Sequence, residues 1–229
     1  MNKIRIFIVL VVSIGFVYTG IFLPSRISTS VSIPEKIVQS TVYVETIVAD
    51  GLIWSGSGVI VGENGLIMTA GHMVSNAASI KVTLFNGKEY QAVSFYCKNY
   101  PDADIGFIKI DAVNLPTLKL KNSNLNYGDV VYICGCPFGN ELAFTLTKGI
   151  VAGFNRKLEG LGEKSLLQVD AQAWPGNSGG PVCNEKGEII GILIGSIRMS
   201  DGISLCTTAD IAIIALAKYK LDMIFENIK

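Results

Sequence analysis

A rhythm limits how this chain can fold more than anything else in it. From about Ile37 onward, short segments rich in Val, Ile, Leu and Tyr alternate with turn signals; 41–48, 58–61, 80–85, 105–110, 129–134, 166–170 and 189–194 are examples. Asn64-Gly65, Asn86-Gly87 and Lys186-Gly187 fall between such segments and predict hairpin turns, because Asn and Gly tolerate the positive φ that tight hairpins need. Many short strands at regular spacing predict a sandwich or barrel. The last segment breaks the rhythm. Residues 211–225 carry apolar side chains at helical spacing, and Thr207-Thr208-Ala209-Asp210 in front can supply an N-cap and a first-turn acid.

The 229 residues suffice for one all-β domain of two small barrels, or for two compact domains. Apolar residues make up 49% of the chain, so a packed core is expected. Lys+Arg and Asp+Glu number 19 each, which leaves no basic footprint for nucleic acid and no pull toward a strongly charged substrate.

The N-terminus reads differently. Lys3 and Arg5 precede an uncharged apolar run over 6–23, about long enough to cross a bilayer as a hydrophobic helix. Residues 1–26 are therefore expected to be a retained membrane anchor, or else a signal peptide, although no clean small-x-small cleavage site follows. Either reading places the rest of the chain outside the cytoplasm, membrane-anchored in the first case and secreted or periplasmic in the second. Residues 27–36, with their serines and Pro34, read as a linker, and 37–229 as the folded domain. The five cysteines are Cys97, Cys134, Cys136, Cys183 and Cys206, an odd number that leaves at least one unpaired within the chain. Export permits disulfides, but spacing does not decide the pairing. Cys134-Gly-Cys136 could be a metal or redox pair; with one histidine in the chain, buried thiols in strands are the favoured reading, and no metal or cofactor is expected.

Gly176-Asn177-Ser178-Gly179-Gly180-Pro181 carries the strongest chemical signal. From average residue usage, such a hexapeptide arises by chance on the order of once in ten million windows. Glycines on both sides allow a tight turn that lifts the Ser178 hydroxyl clear of the fold. The oxyanion hole is assigned to Gly176, Asn177 and Ser178, with the N–H groups of Gly176 and Ser178 aimed at one point. A serine hydroxyl needs a base, and histidine suits neutral pH. His72 is the one histidine present, and it ends an apolar strand at Thr69-Ala70-Gly71. The third member is a carboxylate that orients the imidazole. Asp104 abuts the alternating strand 105–110 and is chosen over Asp102, one step further into the loop.

Set in order, His72, Asp104 and Ser178 follow the chymotrypsin sequence of roles rather than that of subtilisins or α/β-hydrolases. The chain resembles trypsin-like serine proteases, and among them the protease domain of the HtrA/Deg family. Gly56-Ser57-Gly58-Val59-Ile60-Val61 and Asn64-Gly65-Leu66-Ile67-Met68-Thr69 resemble that family's approach to the catalytic histidine. Asp104-Ile105-Gly106-Phe107-Ile108-Lys109-Ile110 resembles its aspartate strand. Gly135-Cys136-Pro137-Phe138-Gly139 and Thr147-Lys148-Gly149-Ile150-Val151 resemble the turn and strand that follow.

The resemblance implies two six-stranded antiparallel β-barrels, a chymotrypsin-like all-β fold with the closing helix, and hydrolysis of internal peptide bonds through an acyl-enzyme. It implies a protein or peptide substrate, and it allows a homo-oligomer. It places the substrate pocket at Gln172, Leu193, Ile194 and Gly195; uncharged Gln172 argues against a strict Lys/Arg preference and points to small or medium apolar side chains. HtrA proteins usually add PDZ domains, and none is expected within this sequence, so PDZ-gated activation is not carried over. The competing reading is a catalytically silent protease fold that serves as a binding or chaperone-like module, and a third is acyl transfer or ester hydrolysis on the same three residues.

Overall fold

A computed structural model describes residues 31–97, 103–157, 165–196 and 202–226. Twelve strands lie among them, in two closed antiparallel barrels. The first contains β1 (Thr41–Val48), β2 (Ile53–Gly62), β3 (Leu66–Ala70), β4 (Ala77–Leu84), β5 (Glu89–Tyr96) and β6 (Ile105–Ile110), joined in the order β1-β2-β3-β6-β5-β4. The second contains β7 (Val130–Gly135), β8 (Thr145–Arg156), β9 (Leu166–Val169), β10 (Pro181–Asn184), β11 (Ile189–Ser196) and β12 (Ser204–Thr208), in the order β10-β11-β12-β9-β8-β7. The chymotrypsin-like fold expected from the sequence is the fold observed. Asn64-Gly65, Asn86-Gly87 and Lys186-Gly187 lie in the β2–β3, β4–β5 and β10–β11 connections, each with its glycine at positive φ.

The barrels explain why several strands read as continuous apolar runs instead of alternating ones. Ile67, Ile108 and Ile110 fill the first barrel, with Val42, Val44 and Val82. Their strand neighbours Met68, Ile105 and Phe107 point the other way and still find no water. They pack with Cys134, Cys183, Ile189 and Ile192 in a core between the barrels. A strand buried on both faces has no polar side to show.

The reading of 27–36 as a linker is corrected in part: helix α1 runs over Ile33–Ser40. Ser32 caps it, its hydroxyl accepting the Glu35 N–H at 3.3 Å, and Pro34 lies in the first turn. Ser-x-x-Glu with an early proline is a helix-start signature, but serine and proline favour loops as well. Ile37 anchors α1 in the core between the barrels. The closing helix, α2, runs over Ala209–Glu226. Ala212 and Ala215 seat it in that same core. Further along, Tyr219 stacks on Phe107 at 4.8 Å and meets Tyr96 edge-on at 5.3 Å, and the Tyr96 hydroxyl donates to Asp222. A helix that follows the second barrel is thus bolted to β5 and β6 of the first.

The apolar run over 6–23 lies outside the described residues. Among those described, no helix is long and apolar enough to cross a membrane. None of the five cysteines forms a disulfide with another.

Candidate active site

Register brings His72 to Asp104. β3 pairs with β6 so that Ala70 faces Ile105, and a single 3-10 turn, Gly71–Met73, follows β3. Gly71 permits the approach, because a Cβ there would sit 3.1 Å from the Asp104 Cα. The Asp104 carboxylate takes the His72 backbone N–H at 2.9 Å and lies 3.2 Å from ring Nδ1 through both oxygens. An acceptor on Nδ1 selects the tautomer with its proton there and leaves Nε2 to act as a base. Asp104 is 4% exposed and sits at φ +42°, a region uncommon for a side-chain-bearing residue. From the second barrel, Thr207 Oγ1 donates to the Ala103 carbonyl at 3.3 Å. Asp102, the other carboxylate considered, lies outside the described residues.

Ser178 sits in the loop that leads into β10. The backbone of that loop is held peptide by peptide. The Pro175 carbonyl accepts from Phe138 N–H at 2.9 Å, and the Asn177 carbonyl from Gly180 N–H at 2.9 Å. Between them, the Gly176 carbonyl accepts from Ser57 Oγ at 2.7 Å. A trans peptide points its N–H opposite to its carbonyl. The Gly176 and Ser178 amides are therefore turned away from these anchors, and neither has an acceptor among the described residues. Gly176 stands at φ +101°, and a Cβ would overlap the Cys136 carbonyl, so this backbone needs glycine.

Asn177 does not join the oxyanion donors as expected. Its N–H is committed to the Trp174 carbonyl at 3.0 Å. Its side chain is buried, with both amide atoms unpartnered among the described residues.

The first barrel grips the loop from outside. Ser57 N–H donates to the Ser178 carbonyl at 2.8 Å. Gly179, at φ +90°, presses so close that a Cβ would overlap the Ser57 carbonyl and Thr69 Oγ1. Ser178 is thereby held against the strand that delivers His72. Its hydroxyl donates to the Ile194 carbonyl at 3.4 Å, and no hydrogen bond joins it to His72 among the described residues. Such contacts often form only with substrate in place.

The proposed pocket residues divide. Leu193 is buried in the second-barrel core, where its backbone holds Gly179 N–H at 2.7 Å and Gly180 O at 3.0 Å. Ile194 packs on Leu166 and Leu205. These two contribute main chain, not an accessible side-chain wall: neighbours on a strand face opposite sides, and here both sides are covered, Leu193 by the barrel core and Ile194 by Leu166 and Leu205. At Gly195 a Cβ would meet nothing within 4 Å, so the strand borders open space there. Gln172 is exposed, and its carbonyl accepts from Thr147 Oγ1 at 2.8 Å.

Burial raises the thiol pKa of Cys134 to about 12 and of Cys136 to about 11, and pushes Cys183 and Cys206 higher still. These thiols are neutral packing groups at neutral pH. Among the described residues, no cluster of His, Cys, Asp and Glu could hold a metal.

Acyl transfer requires a nucleophile, an oriented base and donors for an oxyanion, and the chain is similar to proteins named as serine proteases. "Serine protease HTRA4" of Homo sapiens is 41% identical over 174 residues, covering 73% of this chain and 35% of that protein. A "Probable periplasmic serine endoprotease DegP-like" of Halomonas elongata is 42% identical over 138 residues, 60% of this chain and 28% of that protein. The chain thus spans about a third of the length of these relatives. Among solved structures, "HtrA-type protease AlgW with tripeptide" superposes with a TM-score of 0.72 at 28% identity, over 81% of this chain and 61% of that one. A serine endoprotease from Yersinia pestis gives 0.68 at 31% identity, over 81% and 65%. Residues 56–192, more than half of the chain, match the family described as Trypsin-like peptidase domain, and they run from β2 to β11, with His72, Asp104 and Ser178 inside the match. The protein belongs to the trypsin-like peptidase family.

Proposed function

We propose that this protein is a serine endopeptidase of the HtrA/Deg kind, with Ser178 as nucleophile, His72 as general base and Asp104 as the group that orients it. The observation that carries the reading is the double hold of Asp104 on His72, backbone and ring, beside a loop with two unclaimed amides. Ser178 Oγ rotates off the Ile194 carbonyl and attacks the scissile carbonyl while His72 Nε2 takes its proton. The Gly176 and Ser178 amides stabilise the oxyanion. His72 then returns the proton to the leaving amine, and water resolves the acyl-enzyme by the same route. Substrates are protein or peptide segments with a small or medium apolar residue before the cleaved bond, since Gln172 offers no charge to a basic side chain. The protease works outside the cytoplasm. The run over 6–23 tethers it or directs its export.

A fluorophosphonate probe tests the reading. Wild type is labelled, and Ser178→Ala and His72→Ala are not. Absence of labelling in a folded, full-length sample overturns the assignment and leaves the silent binding module in its place.

A further inference from the structure

We infer that Ser57, on β2 of the first barrel, is a positioning residue that sets the direction of the oxyanion donors. The inference rests on the protease reading above and adds a part to it. Three consecutive carbonyls, Pro175, Gly176 and Asn177, are pinned in the nucleophile loop. The outer two are held by backbone amides, which almost any sequence could supply. The middle one is held by a side chain, the Ser57 hydroxyl, at 2.7 Å. The Gly176–Asn177 peptide is the spacer between the two donor amides, so its rotation decides whether they converge. It hinges on a glycine, where rotation meets little torsional resistance.

The same hydroxyl accepts Cys136 N–H at 2.9 Å. Cys136 belongs to the turn whose Phe138 amide pins Pro175. One oxygen therefore steadies both peptide planes that flank Gly176. Ser57 is fully buried, so no bulk water stands ready to replace it. Its main chain adds a third tie, N–H to the Ser178 carbonyl at 2.8 Å, and its carbonyl accepts Thr69 Oγ1–H at 2.6 Å. Thr69 lies on β3, three residues before His72. Ser57 thus stands between the strand that delivers the base and the loop that binds the oxyanion. Without its hydroxyl, the buried Cys136 amide and the partly buried Gly176 carbonyl both lose their partner. Relief comes from rotation of the spacer peptide, opposed by its remaining tie, the Asn177 N–H to the Trp174 carbonyl at 3.0 Å.

The test compares Ser57→Ala with wild type in the full chain. Turnover is expressed per active site titrated with fluorophosphonate, so that a loss of folded fraction does not count. Removing an oxyanion donor outright costs about a hundredfold or more, so misaligning one is expected to lower kcat by about 10–100-fold. A peptide aldehyde, whose tetrahedral adduct needs the same donors, weakens by the same factor as kcat/KM. Binding of the intact peptide, compared between Ser178→Ala and Ser178→Ala with Ser57→Ala, stays within about twofold, because ground-state contacts do not use the oxyanion donors. Ser57→Thr and Ser57→Val share a volume and differ in the hydroxyl, so they read the hydrogen bond even where alanine fails to fold; threonine is expected to turn over at least tenfold faster. Unchanged kcat and aldehyde affinity in Ser57→Ala, a matching loss in ground-state binding, or equal turnover in the Thr/Val pair overturns the inference. Absence of activity in wild type is the separate failure of the protease reading.

Discussion

Asp104 holds a left-handed backbone at φ +42° while its carboxylate binds the backbone and ring of His72. Such a conformation costs on the order of 1–3 kcal/mol and persists where the surroundings over-determine it. Asparagine tolerates the same backbone, so Asp104→Asn should fold normally while presenting the wrong partner to Nδ1. The expected loss in kcat is about ten-thousand-fold, by analogy with the worked serine-protease triad. Steady-state kinetics beside a thermal melt would check it; the same loss from Asp102→Asn, with Asp104→Asn active, would reverse the assignment. Gly179→Ala belongs to a different class. Its φ of +90° and the overlap with Ser57 and Thr69 leave no room for a methyl. The variant should lose several kcal/mol, on the order of 3 or more, and be read as a stability defect in urea titration. The buried thiols make a pH prediction. Their pKa values are raised in the fold above the ordinary 9.0, to about 12 at Cys134 and about 11 at Cys136, because burial penalises the thiolate. The unfolded chain therefore releases these protons first. Their contribution is intact below pH 9 and is lost as pH rises from 9 toward 12, at about 1.4 kcal/mol per pH unit for each thiol. Urea midpoints measured from pH 8 to 11 should fall, and the four buried thiols should stay inert to a disulfide reagent at pH 8 until the protein unfolds.

Among the elements, the two helices do unequal work. α1 is short, and Ser32 supplies its cap. Ser32→Ala should cost about 1 kcal/mol and leave catalysis alone, because α1 packs through Ile33, Ile37 and Val38 and supplies none of His72, Asp104 or Ser178. α2 reaches from the second barrel to the first through Tyr219 on Phe107 and Tyr96. Tyr219→Ala should cost about 3 kcal/mol, since it removes an aromatic ring from a packed cluster. β6 carries Phe107 on one face and begins directly after Asp104, so that variant should also loosen His72 and lower kcat more than a plain loss of stability predicts. Activity at a temperature well below its melting point would separate the two effects.

For the whole molecule, the site is made where the barrels meet. His72 and Asp104 come from the first barrel, Ser178 and the donor amides from the second, and Ser57 crosses between them. The sequence alone determined what is local. Strand rhythm, turn dipeptides and helical spacing in 211–225 reported a sandwich or barrel and the closing helix, because side-chain periodicity follows directly from backbone geometry, and the family resemblance chose the two barrels. The glycine-flanked Ser178 and the single histidine were legible for a similar reason, since a rare motif and a unique residue need no context. α1 was written in Ser32 and Glu35 but hidden by residues that favour loops and helix starts alike. Only the tertiary structure decided the rest. The β3–β6 register set Asp104 on His72, the Trp174 carbonyl claimed the Asn177 amide, the second barrel closed over Leu193, and Ser57 was put beneath Gly176. Apart from the local turn at Asn177, each of these depends on which distant strand lies alongside and in what register, and that is settled only when the strands of the barrels have paired.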